Sequence, residues 1–287
     1  MQKLAPIALF VYNRPTHLER TLNSLKENTL AADSELFVFS DGPKNEDDKL
    51  LVDSVRKFIS KIDGFKKVIV FHHDKNLGLA NSVIYGVSKI FENKKKAIVI
   101  EDDMIFSTHF LKFMNNALNY YEDAKKVHSI TGYKFPIKLP KHFNKDIFFA
   151  KRASSWGWGT WKSRWDKADW KLENFSELVK DRKFKNSFNE GGVDLFRMLK
   201  NQMTGKIDSW AIRWCYNHYI NNAYCVYPAI SLIKNIGTDN SGTHIKTTNK
   251  FDSSISENFN PTLEPFYTNP FIDRKMKYFF SKSFLRR

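Results

Sequence analysis

The chain is poor in cysteine: two in 287 residues, Cys215 and Cys225. They stand in an aromatic segment with no C-x-x-C and no metal-type spacing, which excludes a disulfide framework and a thiolate metal centre; a reduced pair is expected. No run of 18 apolar residues occurs, so no membrane-spanning helix is expected. The start, MQKLAPIALFVYNRP, lacks the plan of a signal peptide, and cytoplasmic residence follows as the default expectation. Internal repeats and low-complexity tracts are missing. So are the common phosphate and nucleophile devices: G-x-x-x-x-G-K-[ST], the kinase motif set and the G-x-S-x-G elbow. The sole G-x-G, Gly157-Trp158-Gly159, lies far from any expected strand-to-helix start. Acid is also scarce, 31 Asp and Glu against 46 Lys and Arg, a net charge of +15. That excess suits nucleic acid, anionic lipid or phosphorylated small molecules. No nucleic-acid-binding motif accompanies it, and no nucleic acid partner is expected.

What is present begins with apolar patterning. Hydrophobic residues make up 42% and aromatics 15%, enough for a real core. IALFVY (7–12), ELFVFSDG (35–42), KKVIVFHH (66–73) and AIVI (97–100) read as strands. Between and after them, apolar residues at helical spacing predict helices: Leu18, Leu22 and Leu25 behind Pro15; Leu50, Leu51, Val55, Phe58 and Ile59; Leu79, Val83, Val87 and Ile90; Phe110, Phe113, Met114, Leu118 and Tyr121. This alternation predicts an α/β fold, a mostly parallel sheet covered on both faces. Beyond about residue 135 all seven tryptophans appear, separated by polar loops, and 234–250 reads as a long polar loop. That half is expected to belong to the same domain. Residues 271–287 carry six basic side chains, one acid and six aromatic or leucine side chains. The composition suits an anionic membrane surface and equally an ordinary solvated tail or terminal helix.

Chemistry concentrates where the strands end. AIVI runs directly into Glu101, Asp102 and Asp103. Like charges about 4 Å apart repel by roughly 4 kcal/mol near a protein surface, so such a triplet needs a counter-ion. Ligands of open α/β sheets bind beyond the carboxyl ends of the strands. The other ends carry Tyr12-Asn13-Arg14, Asp41-Gly42, and DKNLGLANS (74–82). Asp41 is suited to accept from a base imide, and Arg14 to meet a base or a phosphate. Lys75, Asn76, Gly78 and Asn81 open a helix whose N-terminus favours anions; a plain turn and cap is the other reading. A hard divalent cation, Mn2+ or Mg2+, would tie the acidic triplet to a diphosphate.

The order YNRP, SDGP, NLGL, IEDD resembles the GT-A glycosyltransferases, glycosyltransferase family 2 and its relatives. The E-D-D form with a helix after it is most similar to the N-acetylglucosaminyltransferase I family, and AKRASSWGWGTWKSRWDK resembles that family's acceptor-side segment. The likeness, which also takes in bacterial sugar transferases of surface-polysaccharide loci, covers residues 4 to about 245. It implies a GT-A catalytic domain over 1–250, with a nucleotide-sugar half (1–133) and an acceptor half (134–250), and a basic aromatic C-terminal extension (251–287). It further implies that Asp41 binds the base of a nucleoside diphosphate sugar, with Tyr12, Asn13 and Arg14 lining the pocket. Glu101 and Asp102 would then face ribose and sugar, and Asp103 would be the principal metal ligand.

Relatives that invert the anomeric centre need a base. Asp208, in KIDSWAIRW, is favoured; Asp194 and Glu190 are the rivals, and a helix N-cap is the structural alternative for Asp208. His244 is a candidate second metal ligand, in a loop suited to a lid. Trp156, Trp158 and Trp210 are candidates to stack on acceptor sugars, or ordinary core residues. The expected activity is metal-dependent inverting transfer to a surface glycan, for example lipid-linked. No N-terminal anchor precedes the first strand, so a secretory glycoprotein is not the expected acceptor. A sugar-nucleotide nucleotidyltransferase and a basic nucleic-acid-binding protein are the alternatives; the first lacks its glycine-rich loop here, and the second leaves the acidic rim unexplained.

Overall fold

The structure, a computed structural model, describes residues 3–239 and 248–281. Its first half alternates: β1 (Ile7–Val11), α1 (Pro15–Lys26), β2 (Glu35–Ser40), α2 (Glu46–Ile59), β3 (Lys67–His72), α3 (Leu79–Phe91), β4 (Lys96–Glu101), β5 (Met104–Phe106) and α4 (Phe110–Tyr120). Then follow β6 (Val127–Thr131), β7 (Ile147–Ala150), β8 (Trp158–Trp161), the short helices α5 (Lys162–Trp165), α6 (Phe175–Leu178) and α7 (Arg182–Phe188), then α8 (Leu195–Met203), α9 (Trp210–Ile220), β9 (Tyr224–Pro228), β10 (Ile233–Asn235) and α10 (Pro270–Phe279).

Eight strands form one sheet in the order β3-β2-β1-β4-β8-β6-β9-β7. β1 to β4 are mutually parallel where they pair, and β6 is parallel to β9. β8 runs antiparallel to both β4 and β6, and β7 antiparallel to β9. The sheet is therefore α/β and mostly parallel, with β8 joining its two halves. The part beyond residue 135, expected as looped, supplies three of the eight strands, β7, β8 and β9.

Strands buried on both faces read as unbroken apolar runs, yet the period of two still sorts them. Ile7, Leu9 and Val11 of β1, with Ile98 and Ile100 of β4, face a core built on α1 and α4. Ala8, Phe10, Ala97 and Val99 face the opposite core, built on α3, α8 and α9. Five tryptophans, 158, 165, 170, 210 and 214, lie in or against this second core, some of them stacked, as Trp158 on Trp210 at 4.7 Å between ring centroids. Fully burying such rings is the largest apolar gain available to any side chain, and they assemble the second half around α9.

Two expectations for the C-terminal part are revised. The polar stretch from 234 begins as strand: β10 pairs antiparallel with β5, Asn235 opposite Met104. Of the alternatives for the basic segment, Pro270–Phe279 form the terminal helix, but a packed rather than a solvated one: Ile272, Met276 and Phe279 of α10 are buried in the first core, and the Phe280 ring lies 3.6 Å from the Arg152 guanidinium. Among the described residues no helix is long and apolar enough to cross a membrane.

Candidate active site

Parallel pairing brings the carboxyl ends of β1, β2 and β4 to one rim. At β4 the chain turns through Glu101, Asp102 and Asp103 into β5. Thr21, from α1, stitches this turn: its hydroxyl donates to the Asp102 carbonyl at 2.9 Å and accepts from the Met104 N–H at 3.0 Å. Asp102 and Asp103 are only 2% and 7% exposed, so their charges cannot be left to water. Arg14 answers them. Its Nη2 donates to Asp102 Oδ1 and its Nη1 to Asp103 Oδ2, the latter at 3.0 Å. The Tyr12 N–H donates to Asp102 Oδ2 at 3.3 Å, and Asn235 Nδ2 to Asp103 Oδ1 at 3.3 Å. Arg14, expected to meet a base or a phosphate, has its fork closed here on carboxylates of its own chain.

Electrostatics follow the geometry. Burial works against the Arg14 charge but is outweighed by Asp102 and Asp103, which hold the guanidinium above its ordinary range. Burial raises Asp102, partly offset by Arg14. Glu101 is pushed up to about 8, first by burial and then by the Asp103 charge, so the triplet need not carry three charges at neutral pH.

A second group stands beside the first. Asp41 accepts the Leu77 N–H and the Gly42 N–H at 2.9 Å on Oδ1, and the Gly78 N–H and Asn76 Nδ2 at 3.2 Å on Oδ2. Asn76 Nδ2 also reaches the Gly42 carbonyl at 2.8 Å. The aspartate expected to accept from a base imide thus has both oxygens engaged by the loop before α3. Burial raises its pKa, and the amides of Leu77 and Gly42 and the nearby His73 counter that rise. Lys75 is exposed, and Asn81 donates to the Leu77 carbonyl at 3.1 Å inside the helix turn.

Gly78 has φ of +77°, and a Cβ there would lie 2.7 Å from Asp208 Oδ2. The close approach has a purpose: Asp208 Oδ2 accepts the Ala80 N–H at 3.2 Å. Gly78 brings no side-chain cap of its own to α3, so Asp208 caps it from 128 residues away in sequence. The expected alternative, a cap on the following helix, belongs instead to Ser209, whose hydroxyl accepts from Ile212. The rivals are committed elsewhere. Asp194 forms a buried ion pair with Arg152 at 2.8 Å, and Glu190 pairs with Lys277 at 2.7 Å.

Several supporting residues carry no motif. Asp48, on α2, accepts from the Tyr12 hydroxyl at 2.8 Å and from Asn13 Nδ2 at 2.6 Å. The Lys44 N–H donates to the same hydroxyl at 2.9 Å. Tyr12 and Asn13 therefore line this corner while holding the loop after β2. Asn45, the N-cap of α2, was the signal that fixes Asp48 in its first turn. Nothing in the local sequence points to Asn235.

The tryptophan expectations need correction. Trp158 and Trp210 are 0% and 2% exposed. Rings sealed in a core present no face to a sugar, so both are removed from the acceptor site. Trp156 is partly exposed and meets Tyr133 edge-on at 4.5 Å. His244 lies outside the described residues.

Asp102 and Asp103 offer the hard oxygens that Mg2+ or Mn2+ takes. Among the described residues no three of His, Cys, Asp and Glu converge to complete a cage. One or two carboxylates completed by phosphate and water is the usual Mg2+ arrangement, so the residues fit a cation shared with a phosphorylated ligand.

The profile of glycosyl transferase family 2 matches residues 7–160. No curated protein matches the sequence. Among solved structures, S. aureus TarS 1-349 is similar at 12% identity and a TM-score of 0.41, over 81% of this chain and 61% of that one. The same fragment in complex with UDP gives 13% and 0.41, over 79% and 59%. The mannosyltransferase PcManGT from Pyrobaculum calidifontis, in complex with GDP-Man and Mn2+, gives 12% and 0.41, over 77% and 74%. The chain spans about six-tenths of the TarS fragment. Likeness of this extent says nothing about donor or acceptor. The profile match is of another kind: it takes in more than half of the chain, from β1 into β8, and every acid of the rim except Asp208, and by it the protein belongs to glycosyltransferase family 2, with an α/β fold of the GT-A class.

Proposed function

We propose that the protein is a metal-dependent inverting glycosyltransferase, related in its E-D-D turn to the N-acetylglucosaminyltransferase I type, that moves a hexosyl or N-acetylhexosaminyl unit from a nucleoside diphosphate sugar to a hydroxyl of a surface glycan. The single observation that carries this reading is the convergence of two acidic groups on one sheet rim: Asp102 and Asp103 held by Arg14, and Asp208 lying across the α3 N-terminus. Residues 1–133 supply the donor side and 134–250 the acceptor side.

Tyr12, Asn13 and Gly42 form the base corner. Lys75, Asn76 and Gly78, in the loop before α3, stand on the diphosphate side, next to a helix start whose Ala80 amide is held by Asp208. Asp103, with Asp102 behind it, would hold Mn2+ or Mg2+, which when bound would supply positive charge for the leaving diphosphate. Asp208 takes the proton from the acceptor hydroxyl. That oxygen forms the bond to the anomeric carbon as the carbon–phosphate oxygen bond breaks, and the nucleoside diphosphate leaves with the bonding pair. Proximity and orientation provide most of the rate. Trp156 is the remaining aromatic candidate for the acceptor.

The outer face of α10 fits an anionic membrane, where lipid-linked acceptors reside. Phe271 and Tyr278 are 45% and 47% exposed, with Lys275 and Lys277 within 5.5 Å of their rings. Co-sedimentation with phosphatidylglycerol vesicles, abolished by Lys275→Glu with Phe271→Ser, tests this; equal pelleting of the variant removes the membrane from the proposal.

A panel of UDP- and GDP-sugars, screened with Mn2+ for glycoside formation, tests the activity. Pyrophosphate release from a nucleoside triphosphate and a sugar 1-phosphate, with no glycoside formed from any sugar nucleotide, would instead identify a nucleotidyltransferase.

A further inference from the structure

The counter-ion that the acidic turn requires is already resident. Arg14 stands at the N-cap of α1, immediately before Pro15, and its carbonyl accepts from Leu18 at 3.0 Å. Its backbone is thus fixed by the helix start, while the guanidinium reaches both aspartates. The pair is roofed by the strand end from β10. The Ile236 N–H donates to the Asp103 carbonyl at 2.8 Å, and a Cβ on Gly237 would lie 2.2 Å from Asp103 Oδ2 and 3.0 Å from Arg14 Nη1. Only glycine lets the main chain close so tightly over this ion pair.

A divalent cation on Asp103 and the Arg14 fork need the same oxygens. Asp102 has both oxygens occupied, and Asp103 shares Oδ2 with Arg14 and Oδ1 with Asn235. A guanidinium and a dication held against one carboxylate repel each other strongly in a buried setting. Cation binding therefore requires Arg14 to let go. The group best able to receive a released guanidinium is a diphosphate, which offers the same paired oxygens as a carboxylate.

Resting on the metal-dependent reading above, we propose that Arg14 is an internal counter-ion that makes metal binding conditional on the nucleotide. Without a diphosphate, Arg14 occupies the acidic pair and keeps divalent cations out. With one, Arg14 transfers to the phosphates and Asp103 is freed for the metal. Metal and nucleotide then bind with positive coupling, and the coupling is reciprocal.

The test uses the full chain and two titrations: MnCl2 into protein without nucleotide, and UDP into protein with and without Mn2+. The wild type should bind Mn2+ weakly alone, and Mn2+ should tighten UDP binding by roughly tenfold or more. Arg14→Met should bind Mn2+ alone roughly tenfold more tightly than the wild type, because the competing charge is gone, and its UDP affinity should respond far less to Mn2+. Arg14→Gln, which keeps an amide donor for the buried carboxylates, should behave alike and serves if the methionine variant does not fold. If the wild type shows Mn2+-dependent UDP binding but both variants match it in Mn2+ affinity and in coupling, the inference fails and the metal-dependent reading stands. If the wild type binds UDP identically with and without Mn2+, both fail together.

Discussion

Asp103 and Asp208 are both acidic and both near the rim, yet substitutions should separate them. Asp103→Asn removes one charge from the Arg14 pair and the hard anionic ligand while keeping the shape. UDP affinity measured with Mn2+ should drop at least about tenfold, the worth of one charge-assisted contact, with Mn2+ dependence abolished; an unchanged Mn2+ requirement would remove Asp103 as a ligand. In Asp208→Asn the amide oxygen can still accept from Ala80, so the cap on α3 persists. Donor binding should stay near normal while transfer falls by roughly 10²- to 10⁴-fold, the usual contribution of a general base. Near-normal turnover would leave Asp208 as a cap alone.

At the scale of an element, α3 shows how a helix start can be completed by a distant part of the chain. Its own N-cap residue is a glycine at φ of +77°, pressed against Asp208. Gly78→Ala adds a left-handed strain and a contact that must shift, which together cost about 1–3 kcal/mol. Urea unfolding should register that loss, and donor affinity should fall with it because the loop of Asn76 and Gly78 is displaced. A variant as stable as the wild type would mean that α3 and α9 can move apart at this point. α3 and β4 were legible beforehand because their apolar periodicity is local. The capping of α3 was not, since the residues involved stand 128 apart.

For the molecule as a whole, stability should depend on pH through a histidine pair inside the sheet half built from β6 and α9. His128 and His218 face each other at 5.8 Å between ring centroids. Burial, then the neighbouring Arg164 and Lys167 charges, lower His128 to about 4, and burial lowers His218 well below its ordinary value. Unfolded histidine titrates near 6.5. Between about pH 6.5 and 4 the unfolded chain therefore binds protons that the folded chain refuses, so stability rises with pH across this window and is lost as pH falls. The His128 contribution alone amounts to about 2 kcal/mol at pH 5. Urea midpoints at pH 7.5 and 5 should differ accordingly in the wild type and less in His128→Gln; a pH-independent difference between the two proteins would count against it.

The amino-acid sequence alone determined the alternation of strands and helices, the placing of acids at the ends of β2 and β4, and the YNRP, SDGP, NLGL and IEDD order. Each is a local property, set by hydrophobic period and by where a run of apolar residues stops. Tertiary structure alone decided the partners. It paired Arg14 with Asp102 and Asp103, turned Asp41 toward the loop of Asn76 to Gly78, and set Asp208 on α3. It also drew Trp158 and Trp210 into a core where composition permitted a binding platform. The physical reason is common to all of these. A buried charge or a large ring must find a partner somewhere, and which partner is near depends on strand order and helix packing, which no window of neighbouring residues contains.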